Sequence, residues 1–141
     1  MGYTIPCCST ACQRKLLPPD HYLANIDLIT RQNKYYLRTL FTTQQMQLVV
    51  RYISPSDGGL PEEVHEYSSQ FIRIEEGEGY AIINGKRREL KTGDVLMVAP
   101  GERHTVVTDN VNPLRLYGIY SPPVHPRDAS QLRRDKQTRV Q

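Results

Sequence analysis

Residues 61–79, PEEVHEYSSQFIRIEEGEG, and residues 93–104, GDVLMVAPGERH, are the two stretches that decide the fold. They contain four candidate metal ligands: Glu63, His65, Gln70 and His104. Residues two apart on a strand point to the same face of a sheet, so Glu63 and His65 are expected to aim at one point. Two imidazoles, one carboxylate and one amide oxygen form a suitable ligand set for a divalent transition metal.

The rest of the chain alternates short apolar segments with turn signals, and this pattern predicts an all-β fold. The predicted strands are 35–41, 45–53, 64–67, 71–75, 80–83, 86–90, 95–98, 104–108 and 114–121. Asn84-Gly85 is a strong hairpin signal between two of them. The strand at 95–98 is wholly apolar, which favours burial on both faces. A short helix is predicted over 20–30, with Asp20 as its N-cap.

The two stretches resemble the cupin superfamily, whose motifs read G-x5-H-x-H-x3-4-E-x6-G and G-x5-P-x-G-x2-H-x3-N. The resemblance covers residues 45–122, and the candidate ligands keep the spacing of the family. Glu63 stands where the family usually has its first His, and Gln70 stands where it has Glu. Ala99 and Thr108 stand in place of the family's Pro and Asn. The stretch EVH-x4-QFxRIEEGEG is similar to single-domain cupins called mannose-6-phosphate isomerase-like.

This resemblance implies a double-stranded β-helix, or jelly-roll barrel, with a short N-terminal helix and flexible ends. The barrel is expected over residues 21–126, with the motif region at 59–108. Residues 1–20 are expected to form an irregular leader, and residues 127–141 a solvated basic tail. The pocket between the sheets is expected to hold one divalent transition metal, which could be Zn, Mn, Fe, Ni or Co.

Four further polar residues are expected to line that pocket: Arg51, Tyr117, Tyr120 and His125. Arg51 lies at the end of a strand close to the motif. Tyr117 and Tyr120 lie on opposite faces of the last strand, so one of them should point inward. His125 lies in a proline-rich segment that is expected to fold over the pocket mouth.

Three functions fit these residues. The first is a metal-dependent isomerase-like cupin acting on a sugar or sugar phosphate, in which Glu63 is the candidate catalytic proton shuttle. The second is a metal-dependent dioxygenase, because two His and one carboxylate form the ligand set of non-haem iron oxygenases. The third is a non-catalytic cupin that binds a ligand or serves a structural role. The expected partners are a small-molecule ligand, which is a carbohydrate in the first case, and a second copy of the chain in a homodimer.

The charge distribution argues against nucleic acid as a partner. The net charge is +3, and residues 127–139 alone carry five basic and two acidic side chains, which leaves the remainder close to neutral. No apolar run approaches the roughly 18–20 residues that span a membrane, and no secretory signal is visible, so a cytoplasmic protein is expected. The chain has three cysteines, Cys7, Cys8 and Cys12, and an odd number in a short polar segment does not indicate a disulfide framework.

Overall fold

The computed structural model describes residues 21–134, which form two antiparallel sheets and one short helix. The helix α1 is Ile26–Gln32. The strands are β1 (Leu37–Thr42), β2 (Gln47–Ile53), β3 (Ser69–Glu76), β4 (Glu78–Ile83), β5 (Lys86–Lys91), β6 (Val95–Val98), β7 (His104–Thr108), β8 (Leu114–Ser121) and β9 (Ser130–Gln131). The six-stranded sheet has the order β6-β3-β8-β2-β1-β9, and the smaller sheet has the order β5-β4-β7. This arrangement confirms the predicted all-β jelly roll.

The core lies between the two sheets. Alternation along β3 buries Gln70, Ile72 and Ile74, while Phe71 and Arg73 face outward and are half-buried. The same alternation buries the even-numbered residues of β8 from 114 to 120. Burying an aliphatic or aromatic side chain stabilises the fold by about 1.5–3 kcal/mol, so these inward rows are the main source of stability. They also place the polar Gln70 among apolar neighbours.

The segment before β3 lies along β7 without forming a regular strand. The Leu60 N–H donates to the Val106 carbonyl at 2.8 Å, and the Thr105 hydroxyl donates to the Leu60 carbonyl at 2.6 Å. Gly59 has φ 147°, and a Cβ at that position would lie 2.6 Å from the Val106 oxygen. Glycine is therefore required where this segment approaches β7. The strand predicted over 64–67 is wrong, because this stretch leaves β7 to cross towards β3.

Two other local predictions have different outcomes. The Asn84-Gly85 hairpin is confirmed, because both residues have positive φ, 50° and 82°, as a two-residue turn with this sequence requires. The helix begins later than predicted: Asn25 is the N-cap, and its side chain accepts a hydrogen bond from the Leu28 N–H at 3.1 Å. Asp20, the predicted cap, lies outside the described residues.

The strand β6 is not buried on both faces, contrary to the prediction. Val95 is 49% exposed and Met97 is 70% exposed, whereas Val98 is buried. β6 is the edge strand of the six-stranded sheet. Its inner face packs on the core, and its outer face has no packed element among residues 21–134. An apolar run in the sequence does not distinguish a strand buried on both faces from an edge strand buried on one face.

Residues 127–134 pack on the barrel, so this part of the basic tail is not the freely solvated end that the sequence suggests. β9 pairs with β1 through Leu37↔Gln131 and Arg38↔Ser130. The Tyr36 N–H donates to the Leu132 carbonyl at 3.3 Å, beside this pairing. The segment therefore covers the edge of the larger sheet. Residues 135–141 and the cysteine-containing leader lie outside the described residues.

Within the described part of the chain, no helix is long and apolar enough to cross a membrane.

We predict that removing residues 127–141 destabilises the protein, whereas removing residues 135–141 leaves its stability nearly unchanged. The longer truncation deletes β9 and the hydrogen bonds that it makes with β1, each of which contributes about 0.5–1.5 kcal/mol. We expect a loss of about 2–4 kcal/mol in the free energy of unfolding, measured by urea denaturation. Equal stability of the two truncated proteins would show that β9 contributes nothing.

Candidate metal centre

A backbone pairing brings the first and last candidate ligands together. Glu63 and His104 form an isolated antiparallel bridge. The Glu63 N–H donates to the His104 carbonyl at 2.8 Å, and the His104 N–H donates to the Glu63 carbonyl at 3.0 Å. Residues that exchange both hydrogen bonds lie directly opposite each other, so their side chains leave the backbone on the same face. The pairing therefore directs a carboxylate and an imidazole into one space.

His65 reaches the same space from the chain just beyond this bridge. Its carbonyl accepts a hydrogen bond from the Gly101 N–H at 2.8 Å, which ties it to the Pro-Gly turn before β7. Its Nε2 lies 3.2 Å from the Glu63 Oε1. One ligand atom from each of Glu63, His65 and His104 lies within 4.8 Å of the others. The structure thus brings together three of the four predicted ligands as a compact cluster.

Hydrogen bonding fixes the proton on His104. Its Nδ1 lies 2.9 Å from the Glu102 carbonyl, and because a carbonyl only accepts, Nδ1 carries the proton. In the neutral ring, Nε2 then has no proton and presents a lone pair. A metal-binding histidine commonly donates its other ring N–H to a carbonyl in this way.

Gln70, the fourth predicted ligand, lies against that lone pair. Its Oε1 is 2.8 Å from the His104 Nε2, and both groups are buried. Two lone pairs cannot hydrogen-bond each other. The contact is stable if the amide presents its NH2 group, if the ring is doubly protonated, or if both lone pairs bind one cation. A metal therefore competes with protons and with the amide at this position.

The residues present fit a divalent metal. The His65 Nε2 is buried and has no hydrogen-bond partner among residues 21–134. Its approach to Glu63 is close but lacks hydrogen-bond geometry. A buried polar atom without a partner is costly, and coordination of a cation shared with Glu63 and His104 would satisfy it. The donor set of two imidazoles and one carboxylate suits Zn, Mn, Fe, Ni or Co alike.

The Glu63 carboxyl is held in its ionised form. Burial would raise its pKa, but the contact with His65 and the positive charge of Arg51 outweigh burial, and the net effect lowers the pKa below its ordinary value. Glu63 is therefore ionised at neutral pH and available as an anionic ligand.

Three of the four predicted pocket residues form one hydrogen-bonded group next to the cluster. The buried guanidinium of Arg51 donates from one terminal nitrogen to the Tyr120 hydroxyl at 3.4 Å and to the His125 Nε2 at 3.3 Å. Burial, together with the nearby positive charge of Arg51, lowers the pKa of His125 to about 4. His125 is therefore neutral near pH 7. The Tyr120 ring packs edge-on against His65, with the ring centroids 5.4 Å apart.

Tyr117, the fourth predicted pocket residue, lies on the other side of the sheet. It faces outward on β8, and its ring centroid is 6.3 Å from that of Phe71. Two residues that sequence reasoning missed lie close to the cluster instead: Tyr36, whose ring lies 5.5 Å from the Arg51 guanidinium carbon, and Arg134. No local signal marks Arg134, because it reaches the pocket only through the pairing of β9 with β1.

Comparison with known proteins agrees with this geometry. The family model described as a cupin domain matches residues 50–120. The chain belongs to the cupin family. In this cupin, the matched range contains all four candidate ligands, and β9 and the Arg134 segment lie beyond it.

The chain is also similar to two curated proteins and to a solved structure. The cupin is 33% identical over 118 residues to an uncharacterized protein of Acanthamoeba polyphaga mimivirus, covering 80% of this chain and 72% of that protein. It is 31% identical to the uncharacterized protein YrkC of Bacillus subtilis strain 168, covering 77% of this chain and 61% of YrkC. A crystal structure of a Bacillus halodurans protein matches with a TM-score of 0.75 and 28% identity, covering 80% of this chain and 89% of that one.

We predict that His65→Ala and His104→Ala each abolish stoichiometric binding of Zn²⁺ or Co²⁺, because each removes an imidazole from the three-residue cluster. Affinity should fall by more than about 100-fold, since even indirect perturbations of metal ligands cost about 10–100-fold. Titration calorimetry with the purified variants measures this. The exposed His21 provides a matched control, and His21→Ala should leave binding unchanged. Full metal content in both site variants would contradict the assignment of the cluster.

The position of Gln70 allows a second set of variants. Gln70→Ala should weaken metal binding less than either histidine variant, because an amide oxygen is a weaker donor than imidazole. Gln70→Glu should tighten binding by adding a carboxylate. Glu63→His combined with Gln70→Glu should restore the usual cupin ligand set, with affinity at least equal to that of the parent chain. A double variant with no metal affinity would show that the two positions do not share one ion.

Proposed function

We propose that this cupin holds one divalent transition metal through Glu63, His65 and His104, with Gln70 as a fourth donor, and acts on a small oxygen-bearing molecule. The convergence of the three ligand atoms within 4.8 Å carries this proposal. A bound metal would act as a Lewis acid on an oxygen of the ligand. The protein contributes the ionised Glu63 and an enclosed wall of Tyr120, Arg51 and His125.

The donor set favours dioxygenase-type chemistry. Two His and one carboxylate are the ligands that non-haem iron oxygenases use. The chain would bind iron through these three side chains, together with a small enol or diol as the substrate. The match to a cupin domain and the family's fold are compatible with this chemistry.

An isomerase-like reaction on a sugar or sugar phosphate is the second candidate. It needs a base to move a proton between neighbouring carbons. The two candidate bases beside the cluster are Glu63 and His125. Glu63 is already a proposed metal ligand, and the His125 Nε2 already accepts a hydrogen bond from Arg51. Proton shuttling would therefore require Glu63 to serve two roles. A cytoplasmic location suits both reactions, and a ligand-binding cupin without catalysis is the third candidate.

Metal identity separates these candidates. We predict that protein purified without chelator contains about one iron per chain, measured by elemental analysis, and that the iron form consumes dioxygen in the presence of small diols or diketones. Stoichiometric Zn or Mn, together with interconversion of aldose and ketose sugar phosphates, would instead support the isomerase. A protein without bound metal, whose melting temperature does not change when Fe²⁺ or Zn²⁺ is added, would support the non-catalytic role.

We further propose a homodimer that forms through the outer face of the six-stranded sheet. Five apolar side chains form a continuous row there, because the strand registers place them side by side: Met97, Phe71, Ile119, Leu48 and Phe41. In a two-fold dimer the same surface of each copy faces the other. Because this row has no charged side chains, two copies of it can pack together without electrostatic repulsion. Met97 is exposed and the other four side chains are half-buried, and a partly exposed apolar row of this length is otherwise unfavourable in water.

We predict that the parent chain is a dimer in light scattering at high micromolar concentration and that Ile119→Lys is a monomer. The substitution places a charge at the centre of the row, where two copies would bring like charges together. Val111→Lys is a matched control, because Val111 is 76% exposed in a turn away from this face. A monomeric parent chain would refute the proposal.

A further inference from the structure

A cavity of about 190 Å³ lies next to Glu63. Its walls combine apolar and charged residues: Tyr36, Leu37, Arg51, Pro61, Glu63, His125, Gln131 and Arg134. Two guanidinium groups and one carboxylate therefore face the same small space. The cavity is smaller than the roughly 300–1,000 Å³ of pockets that take drug-sized ligands, so it suits a small molecule.

Arg51 supplies a fixed positive charge at the inner wall. It is 4% exposed, and its two side-chain hydrogen bonds leave from one terminal nitrogen, to Tyr120 and to His125. No other side-chain hydrogen bond of this guanidinium is found among residues 21–134. A guanidinium has five N–H donors and no acceptor, so donors remain for a further group. The Tyr36 ring lies over the guanidinium and helps to hold its orientation.

Arg134 supplies the second positive charge from the C-terminal segment. Its Nη1 donates to the Asp57 carbonyl at 3.2 Å and to the Gly59 carbonyl at 3.1 Å. These two bonds anchor the side chain across the cavity. Its Nε is buried and has no hydrogen-bond partner in the described part of the chain. A buried N–H of a charged group without a partner is unfavourable unless an acceptor binds to it.

Without a metal, the charges of the cavity match a single negative charge. Arg51 and Arg134 contribute two positive charges, Glu63 contributes one negative charge, and His125 is neutral near pH 7. The remaining single positive charge would be balanced by a monoanion. A metal held by Glu63 would offset that carboxylate and make the cavity more favourable to an anion.

We propose that Arg51 and Arg134 form an oxyanion subsite beside the metal centre, which binds the carboxylate of a small hydroxy or oxo acid. The inference deepens the proposed function and rests on it for the other half of the ligand, whose hydroxyl or carbonyl oxygen would face the metal. A guanidinium fork binds a carboxylate through paired charge-assisted hydrogen bonds. Phosphate has the same recognition chemistry, and the test below includes it; we assign the subsite to a carboxylate because its planar pair of oxygens matches the planar guanidinium fork.

The test uses the full-length, Zn²⁺-loaded protein and glycolate as the probe. Glycolate binding is followed by NMR of the arginine Nε–H signals and quantified by titration, with inorganic phosphate and the neutral amide glycolamide as comparison ligands. The variants are Arg134→Gln, which removes the charge, and Arg134→Lys, which keeps the charge but loses the fork. Arg133→Gln is the matched control, because Arg133 is the exposed neighbour of Arg134.

We expect glycolate affinity to fall about tenfold or more in Arg134→Gln, less in Arg134→Lys, and not at all in Arg133→Gln. Glycolamide should bind at least tenfold more weakly than glycolate. Equal glycolate affinity in the parent chain and Arg134→Gln, with both proteins folded by circular dichroism, would overturn the subsite. Tighter binding of phosphate than of glycolate, dependent on Arg134, would overturn the assignment to a carboxylate.

Failure of the metal centre gives a different result. If the protein takes up no Zn²⁺ but glycolate still binds in an Arg134-dependent manner, the metal-based function is wrong and the oxyanion subsite stands. If Zn²⁺ binds and glycolate does not, the metal centre stands and the subsite is wrong.

Discussion

The pairing of the Glu63 and His104 backbones is the constraint on which the site depends. Its two hydrogen bonds, 2.8 and 3.0 Å long, join residues that are far apart in the chain and place their side chains on one face. The close approach of the segment at Gly59 to β7 begins this pairing, and the bond from Gly101 to His65 extends it. His65 reaches the same space because this segment is held against β7, whereas Gln70 is directed into it by the pairing of β3 with β6 and β8. A shift of one residue in the pairing would turn Glu63 away from the pocket.

The interior of the barrel carries charges that would be unfavourable in an ordinary hydrophobic core. Arg51 is tolerated there because Tyr120, His125 and the Tyr36 ring surround its guanidinium. Glu63 is kept ionised by its positively charged and imidazole neighbours despite its burial. Buried charges of this kind are retained where binding or chemistry needs them, since apolar residues would usually give equal or greater stability. The charged groups of the pocket are therefore stable only together with the side chains that surround them.

Three edges of the two sheets differ in how they are protected from pairing with another chain. β9 covers the edge at β1 and brings Arg134 to the cavity. β5 forms an edge of the smaller sheet and carries mainly charged, exposed side chains, which discourage pairing with another chain. β6 leaves an apolar outer face exposed at Met97, at one end of the row that we assign to the dimer. Edge protection, pocket closure and association are thus distributed over different strands.

The sequence by itself determined most of the strand pattern, the Asn84-Gly85 hairpin and the types of candidate ligand, because these depend on alternation, turn chemistry and spacing within one segment. It also indicated that Gln70 faces the core. Only the tertiary structure decided that Tyr120 and not Tyr117 faces the pocket, and that Arg134 lines it. Those outcomes depend on which strands pair and in which register. Such long-range pairing is determined by the packing of the whole barrel, and no single segment encodes it.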